Sequence, residues 1–108
     1  MTTTPDFLAE LYATAMARKG ASPDSSYVAK LYAKGRAKIA QKVGEEGLET
    51  ALAAVGGSRD EVISESADLL FHLAVLWADC DISPEDVAAE LERRKGTSGL
   101  VEKASRKA

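Results

Sequence analysis

The 108-residue sequence contains one cysteine, one histidine and three prolines. Because Cys80 has no second cysteine to pair with, no disulfide can form within the chain, which is typical of proteins from the reducing cytoplasm. The N-terminus lacks a basic flank followed by an apolar segment, so it does not resemble a signal peptide. The longest strongly apolar stretch, residues 69–78, is about half of the ~20 residues that a membrane span requires. We therefore expect a cytoplasmic protein with no membrane partner.

Positive charge is not in excess: 14 Lys and Arg stand against 17 Asp and Glu, a formal net charge of −3. This balance argues against a nucleic-acid partner, which requires a basic surface, but it leaves room for a small phosphorylated ligand. The Gly-rich loop of P-loop nucleotide sites is also absent. Apolar residues recur at helical spacing and do not alternate as they do in strands. The sequence predicts an all-α fold in a single domain, residues 1–108.

Helical spacing divides the chain into about five helices and a polar tail. Gly56-Gly57 stop the third helix and let the chain reverse, so the third and fourth helices should form a central antiparallel hairpin. Asp24 or Ser25 is expected to cap the second helix. The tail, residues 97–108, is predicted to hold one helical turn and then to be disordered. The predicted helices cover about residues 5–18, 27–32, 36–55, 58–79 and 83–95.

Two helix starts carry the capping-box pattern, in which each of two side chains accepts a hydrogen bond from the other residue's backbone N–H. Ser58 and Glu61 mark the start of the fourth helix, and Ser83 and Asp86 mark that of the fifth. Pro84 fits the first helical position of the fifth helix.

Two pairs of carboxylates lie at mirrored distances from the turn at Gly57. Glu49 is eight residues before it and Glu65 eight residues after it, and Glu46 and Asp68 are each eleven residues away. In an antiparallel hairpin, Glu49 should therefore face the level of Glu65, and Glu46 that of Asp68. Four acids at one level repel each other unless water or a cation screens them, and carboxylate oxygens are the ligands that Mg²⁺ and Mn²⁺ prefer. The spacing therefore indicates a divalent-metal site.

The acids follow narrow polar stripes on helices that are otherwise apolar. A helix that is apolar on nearly all sides is buried on nearly all sides, so such a stripe is either a thin solvent-facing edge or the lining of a cleft. Two uses of the acids remain open, a metal site or salt bridges to Lys38, Lys42 and Arg59. At about 100° per residue, four polar residues of the fourth helix share one arc: Glu61, Glu65, Asp68 and His72.

Five basic residues precede the acids at close spacing: Lys30, Lys34, Arg36, Lys38 and Lys42. They form either a solvated basic face or contacts to the phosphates of a ligand whose other oxygens bind the metal, as is common in Mg-nucleotide sites. His72 lies one turn beyond Asp68. We interpret it as a core-edge histidine that is hydrogen-bonded to Asp68, with a proton shuttle or a phosphate contact as the alternative.

Glu45-Glu46-x-x-Glu49, a spacer of residues 50–64 and Glu65-x-x-Asp68 resemble the signature of the all-α nucleoside-triphosphate pyrophosphohydrolases of the MazG type. Within that superfamily, the chain more closely resembles the phosphoribosyl-ATP pyrophosphohydrolase family of histidine biosynthesis. Three stretches carry the closer resemblance: Lys38-Ile-Ala-Gln-Lys-Val-Gly-Glu-Glu46, Glu65-Ser-Ala-Asp-Leu-Leu-Phe-His72 and Gly96-Thr-Ser-Gly-Leu100.

The resemblance implies that phosphoribosyl-ATP is hydrolysed between its α and β phosphates, giving phosphoribosyl-AMP and pyrophosphate, with Mg²⁺ or Mn²⁺ as the cofactor. Glu45 would orient a metal-bound water or act as its base. The five basic residues and His72 would be candidates for contacts to the phosphates. The resemblance also implies a homodimer, or a higher oligomer, with sites near the subunit interface. Carried over by motif, the metal ligands would be Glu46, Glu49, Glu65 and Asp68.

Two other functions are compatible with the sequence. One is a housekeeping pyrophosphohydrolase that acts on ordinary or damaged nucleoside triphosphates. The other is a noncatalytic helical dimerisation module, which would release no pyrophosphate in the presence of Mg²⁺.

Overall fold

A computed structural model describes residues 6–96 and 99–106, and the regular secondary structure of these ranges is entirely helical. The predicted helices agree with the structure to within about two residues at each end. Residues 99–105, expected to hold one turn, form a seven-residue helix, and residues 97, 98, 107 and 108 of the predicted tail lie outside the described residues. The helices are α1 (Asp6–Ala17), α2 (Tyr27–Lys34), α3 (Arg36–Gly56), α4 (Arg59–Asp79), α5 (Pro84–Arg93) and α6 (Gly99–Ser105).

The helices α3 and α4 form the predicted antiparallel hairpin and pack against each other more extensively than any other pair in the described ranges. Only Gly57 and Ser58 connect these two helices of 21 residues each. The turn is tight, because a Cβ atom added at Gly57 would lie 2.9 Å from the Ala53 carbonyl oxygen. The capping box of Ser58 and Glu61 forms in both directions, so α4 begins directly after the turn.

The core lies at the end of the hairpin opposite to the turn. The helix α1 packs against α4 and α2 packs against α3, while α5 contacts α1. Within residues 6–96 and 99–106, no helix combines the length and the apolar character that a membrane crossing requires. The buried core side chains are Ala15, Val28, Leu31, Ile39, Val75 and Ala78.

The cap of α2 differs from the prediction, which was wrong about the residue. Ser26 caps the helix, and its hydroxyl oxygen accepts a hydrogen bond from the Ala29 backbone N–H at 3.0 Å. Ser25 instead closes the preceding turn by donating to the Ser22 carbonyl oxygen at 2.6 Å. Asp24 also belongs to that turn, so three neighbouring residues of similar capping propensity are distinguished only by the loop that precedes them.

Polar side chains hold the helices together at the end of the hairpin opposite to the turn. Gly35 separates α2 from α3 with φ of +97°, a conformation that favours glycine. The next residue, Arg36, donates from Nε to the Asp79 carboxylate at 2.7 Å and from its terminal nitrogen to the Asp79 carbonyl oxygen at 2.8 Å. The Tyr32 hydroxyl donates to the Ala15 carbonyl oxygen at 2.7 Å. Burial, together with the charge of Asp79, raises the pKa of Tyr32 to about 12.

We expect Gly57→Ala to lower the free energy of unfolding by about 1–3 kcal/mol, the usual cost of overpacking, because its methyl group would overlap the Ala53 carbonyl oxygen. The neighbouring Gly56→Ala is the matched control, since a Cβ there meets nothing within 4 Å. Alanine is favoured over glycine in a helix by about 0.5–1 kcal/mol. Urea denaturation measures both changes, and a Gly57 variant as stable as the unmodified protein would contradict the tight turn.

Candidate functional site

Three carboxylates from the two hairpin helices converge between the middle of the hairpin and its turn. Glu46 and Glu49 of α3 and Glu65 of α4 each offer one oxygen atom, and these three atoms lie within 4.8 Å of one another. The structure therefore brings Glu49 and Glu65 together, as the mirrored spacing predicts. Two ligands of one Mg²⁺ lie about 3–4 Å apart at its ~2.1 Å bond length, so a small rotation of these side chains would let them hold one ion.

Two buried oxygens of this cluster have no hydrogen-bond partner among the described residues, Glu46 Oε2 and Glu65 Oε2. Glu46 is only 7% exposed. A buried, ionised carboxylate costs several kcal/mol when nothing compensates its charge. Hard divalent cations bind such oxygens readily, so the acids that are present fit a divalent metal ion.

Lys42 lies between two acids of α3. Its Nζ is 3.4 Å from Glu45 Oε1 and 3.6 Å from Glu46 Oε1. The pKa of Lys42 is raised, first by the Tyr27 hydroxyl and then by Glu45 and Glu46, so the side chain stays protonated at neutral pH. Glu45 also accepts a hydrogen bond from Gln41 Nε2 at 2.8 Å, which is the main reason why the pKa of Glu45 lies below its ordinary value.

His72 connects α4 to α2. It is 6% exposed, with Nδ1 2.8 Å from the Asp68 carbonyl oxygen and Nε2 3.0 Å from the Tyr27 hydroxyl. Since a carbonyl oxygen only accepts, Nδ1 carries a proton, and in the neutral tautomer Tyr27 donates to Nε2. The interpretation as a core-edge histidine bonded to Asp68 is confirmed, with the backbone carbonyl as the partner. The Asp68 side chain is exposed and is not one of the three converging acids.

The remaining candidates for phosphate binding lie at different distances from the acids. Lys30 and Lys34 are exposed on α2, and Lys38 is half-buried on α3, one turn before Lys42. Arg36 lies at the opposite end of the hairpin, where it is paired with the end of α4. Of the five basic residues, Lys42 contacts the acids directly, and the phosphate contacts of all five stay predictions.

A cleft of about 380 Å³ opens between the two helices at the turn. Glu49, Glu61 and Glu65 line its polar side, and Leu52 and Ala53 contribute apolar surface. Glu49 and Glu65 are therefore reachable from solvent through this cleft.

Sequence reasoning missed two residues of this network, Gln41 and Tyr27. Gln41 precedes Glu45 by four positions, a spacing at which helical side chains meet, so the contact could have been expected. Tyr27 lies 45 positions from His72, and no local pattern indicates their contact.

Residues 8–95 match the family model described as phosphoribosyl-ATP pyrophosphohydrolase. The chain belongs to the phosphoribosyl-ATP pyrophosphohydrolase family. A phosphoribosyl-ATP pyrophosphatase from Paramagnetospirillum magneticum is 60% identical to it over 99 residues, which cover 92% of this chain and 91% of the relative. Relatives of the same name from Azospirillum brasilense and Novosphingobium aromaticivorans are each 58% identical, covering 93% and 94% of this chain and 90% and 94% of theirs.

The phosphoribosyl-ATP pyrophosphohydrolase match confirms the resemblance inferred from the sequence. It includes all of α3 and α4, and therefore every acid of the predicted metal site. It ends before α6, so the family assignment depends on the hairpin and the helices that pack on it.

Thermal unfolding tests the metal site directly. We expect millimolar Mg²⁺ to raise the Tm of the unmodified protein, because a ligand that binds only the folded state stabilises it. Glu65→Gln should abolish this rise, while its Tm in EDTA stays equal or increases because repulsion between the acids is relieved. Glu10→Gln, an exposed residue of α1, should leave the Mg²⁺ effect intact. A Glu65 variant that keeps the full rise would argue against this site.

Proposed function

We propose that this protein hydrolyses phosphoribosyl-ATP to phosphoribosyl-AMP and pyrophosphate in histidine biosynthesis, using Mg²⁺ or, in its place, Mn²⁺. Family membership and the names of the relatives support the proposal. The structural observation that carries it is the pair of buried carboxylate oxygens on Glu46 and Glu65 that have no hydrogen-bond partner among residues 6–96 and 99–106. These two residues come from the two helices that supply the converging acids, and their unpaired oxygens are suited to binding a divalent cation.

Four acids would hold the metal. Glu46, Glu49 and Glu65 already converge, and Asp68, about one turn after Glu65 on the same helix, would add a ligand from its exposed position. When bound, a divalent cation neutralises charge on the polyphosphate and lowers the pKa of water.

Glu45 would orient the attacking water or accept its proton. It is ionised at neutral pH because Gln41 and Lys42 hold its pKa below the ordinary value. Its Oε2 contacts Gln41 and its Oε1 contacts Lys42. Each carboxylate oxygen can accept more than one hydrogen bond, so Glu45 could bind a water molecule while keeping both contacts.

Cationic side chains would stabilise the charge that develops on the leaving pyrophosphate. Lys30, Lys34 and Lys38 have exposed or half-buried side chains that could reach a ligand without losing a strong contact. Arg36 and His72 would first have to leave Asp79 and Tyr27. The lysines are therefore favoured over these two residues as phosphate ligands.

Release of pyrophosphate from phosphoribosyl-ATP, measured with and without Mg²⁺, tests the proposed activity. We expect turnover only with the metal. Glu49→Gln should lower kcat/KM by about 100-fold or more. Mutating even a residue that only hydrogen-bonds to a metal ligand lowers metal affinity or activity about 10–100-fold. Glu10→Gln is the control of equal charge change and should be as active as the unmodified protein.

The same assay separates the competing functions. Faster turnover of dCTP, dUTP or ATP than of phosphoribosyl-ATP would indicate a housekeeping nucleotide pyrophosphohydrolase. No Mg²⁺-dependent release from any of these compounds would indicate a noncatalytic module.

We propose a homodimer because large apolar side chains are exposed on the hairpin near its turn. Leu48, Leu52 and Val55 are 61%, 61% and 89% exposed, and their spacing places them on one apolar stripe of α3. Ile63 of α4 is 51% exposed near the same turn. A second copy could bury the stripe through a two-fold interface, in which both subunits use the same surface. Such an interface would lie beside the acids, because Glu49 belongs to the same stretch of α3.

Sedimentation velocity tests the dimer. We expect a species of at least twice the 11.4 kDa chain mass, and we expect Val55→Lys to raise the dimer dissociation constant more than about 10-fold, since it places a charge in an apolar interface. Leu91→Lys, at a residue of α5 that is 59% exposed, is the control and should leave assembly unchanged. A monomer at all accessible concentrations would refute the interface.

A further inference from the structure

The two carboxylate oxygens of Glu46 have different surroundings, and Lys42 lies beside only one of them. Glu46 Oε1 lies 3.6 Å from Lys42 Nζ, whereas Glu46 Oε2 is buried without a hydrogen-bond partner in the described chain. The Lys42 side chain is 26% exposed and its ammonium also lies 3.4 Å from Glu45 Oε1. The ammonium therefore lies beside a carboxylate whose other oxygen has no hydrogen-bond partner among the described residues.

A divalent cation held by Glu46 would bring two further positive charges close to this ammonium. Like charges a few ångströms apart repel each other, and the repulsion is stronger in a partly enclosed site than in bulk water. The four-carbon stem of lysine is flexible. Lys42 can therefore move its charge by several ångströms without any change in α3.

We propose that Lys42 is an internal counter-cation of the metal site, which neutralises Glu45 and Glu46 in the absence of a divalent ion and turns away from Glu46 when one binds. This inference rests on the proposed function, because it takes Glu46 to be a metal ligand. The displaced ammonium then becomes available to the phosphates of the substrate. Lys42 is thus a positioning residue before the substrate binds and a phosphate ligand afterwards.

The proposal predicts effects of opposite sign on metal binding and on turnover. Removing the Lys42 charge removes a competitor for Glu46, so metal binding without substrate becomes tighter. Turnover falls because a phosphate contact is lost. A salt bridge that only orders the acids would weaken metal binding when removed, and a residue that only contacts phosphate would leave metal binding unchanged.

Free Mn²⁺ can be measured by electron paramagnetic resonance as the ion is titrated with the protein in the absence of substrate. This titration tests whether removing the Lys42 charge tightens or weakens metal binding. We expect Lys42→Met to lower the Mn²⁺ dissociation constant about 3- to 10-fold, as expected for losing a partly exposed ion pair and a nearby like charge. Lys42→Arg should restore the original value because it keeps the charge. For phosphoribosyl-ATP, kcat/KM of Lys42→Met should fall about 100-fold.

Lys38→Met is the matched control, one turn away on the same helix with the same change of net charge. Its Mn²⁺ affinity should change less than about twofold, because its charge acts from a greater distance. Equal tightening in Lys38→Met and Lys42→Met would overturn the proposal, since net charge alone would then explain it. Lys42→Gln repeats the measurement with a polar replacement, so that the result does not depend on the folding of one variant.

Two failures are distinguishable. If the unmodified protein binds no Mn²⁺, the metal site of the proposed function is overturned together with this inference. If it binds Mn²⁺ and both Lys42→Met and Lys42→Gln bind it equally or more weakly, only the role of Lys42 is overturned.

Discussion

The two-residue connection between α3 and α4 is the constraint on which the rest of the structure depends. In this hairpin the two helices of 21 residues pack antiparallel along their length. Residues at equal distances before and after the turn therefore lie at the same level. Glu46 and Glu49 are thereby held beside Glu65 although their charges repel. The backbone imposes this crowding, and it requires a tight turn that only glycine allows at Gly57.

The energy that opposes this repulsion comes from the other end of the hairpin. There, apolar side chains of four helices are buried together, and Arg36 and Tyr32 tie α3 and α2 to neighbouring backbone groups. The acidic cluster contains two buried oxygens without a hydrogen-bond partner in the described part of the chain, so its desolvation is only partly compensated there. The apolar core and the acidic cluster thus occupy different segments of the same two helices.

Much of the fold could be predicted because its signals are local. The capping box of Ser58 and Glu61 involves residues three positions apart. Because the chain reverses at Gly57, residues equally far before and after it lie at the same level of the hairpin. The contact between Tyr27 and His72 could not be predicted, because it depends on how α2 is placed relative to α4. The same limit applies to the cap of α2, which the loop geometry selects from three adjacent candidates. The choice between phosphate binding and ion pairing for the basic residues also depends on side-chain conformation, which spacing does not determine.

The separation of the core from the acids has a consequence for how folding and metal binding are related. In a zinc finger the metal ligands are also the folding nucleus, so the protein without metal is unfolded. Here the buried apolar cluster contains none of the acids, and the turn end can open locally at a lower free energy than the whole chain. The chain would therefore fold without the proposed metal ion, and a change in cation supply would alter the order of the acids while leaving the fold in place.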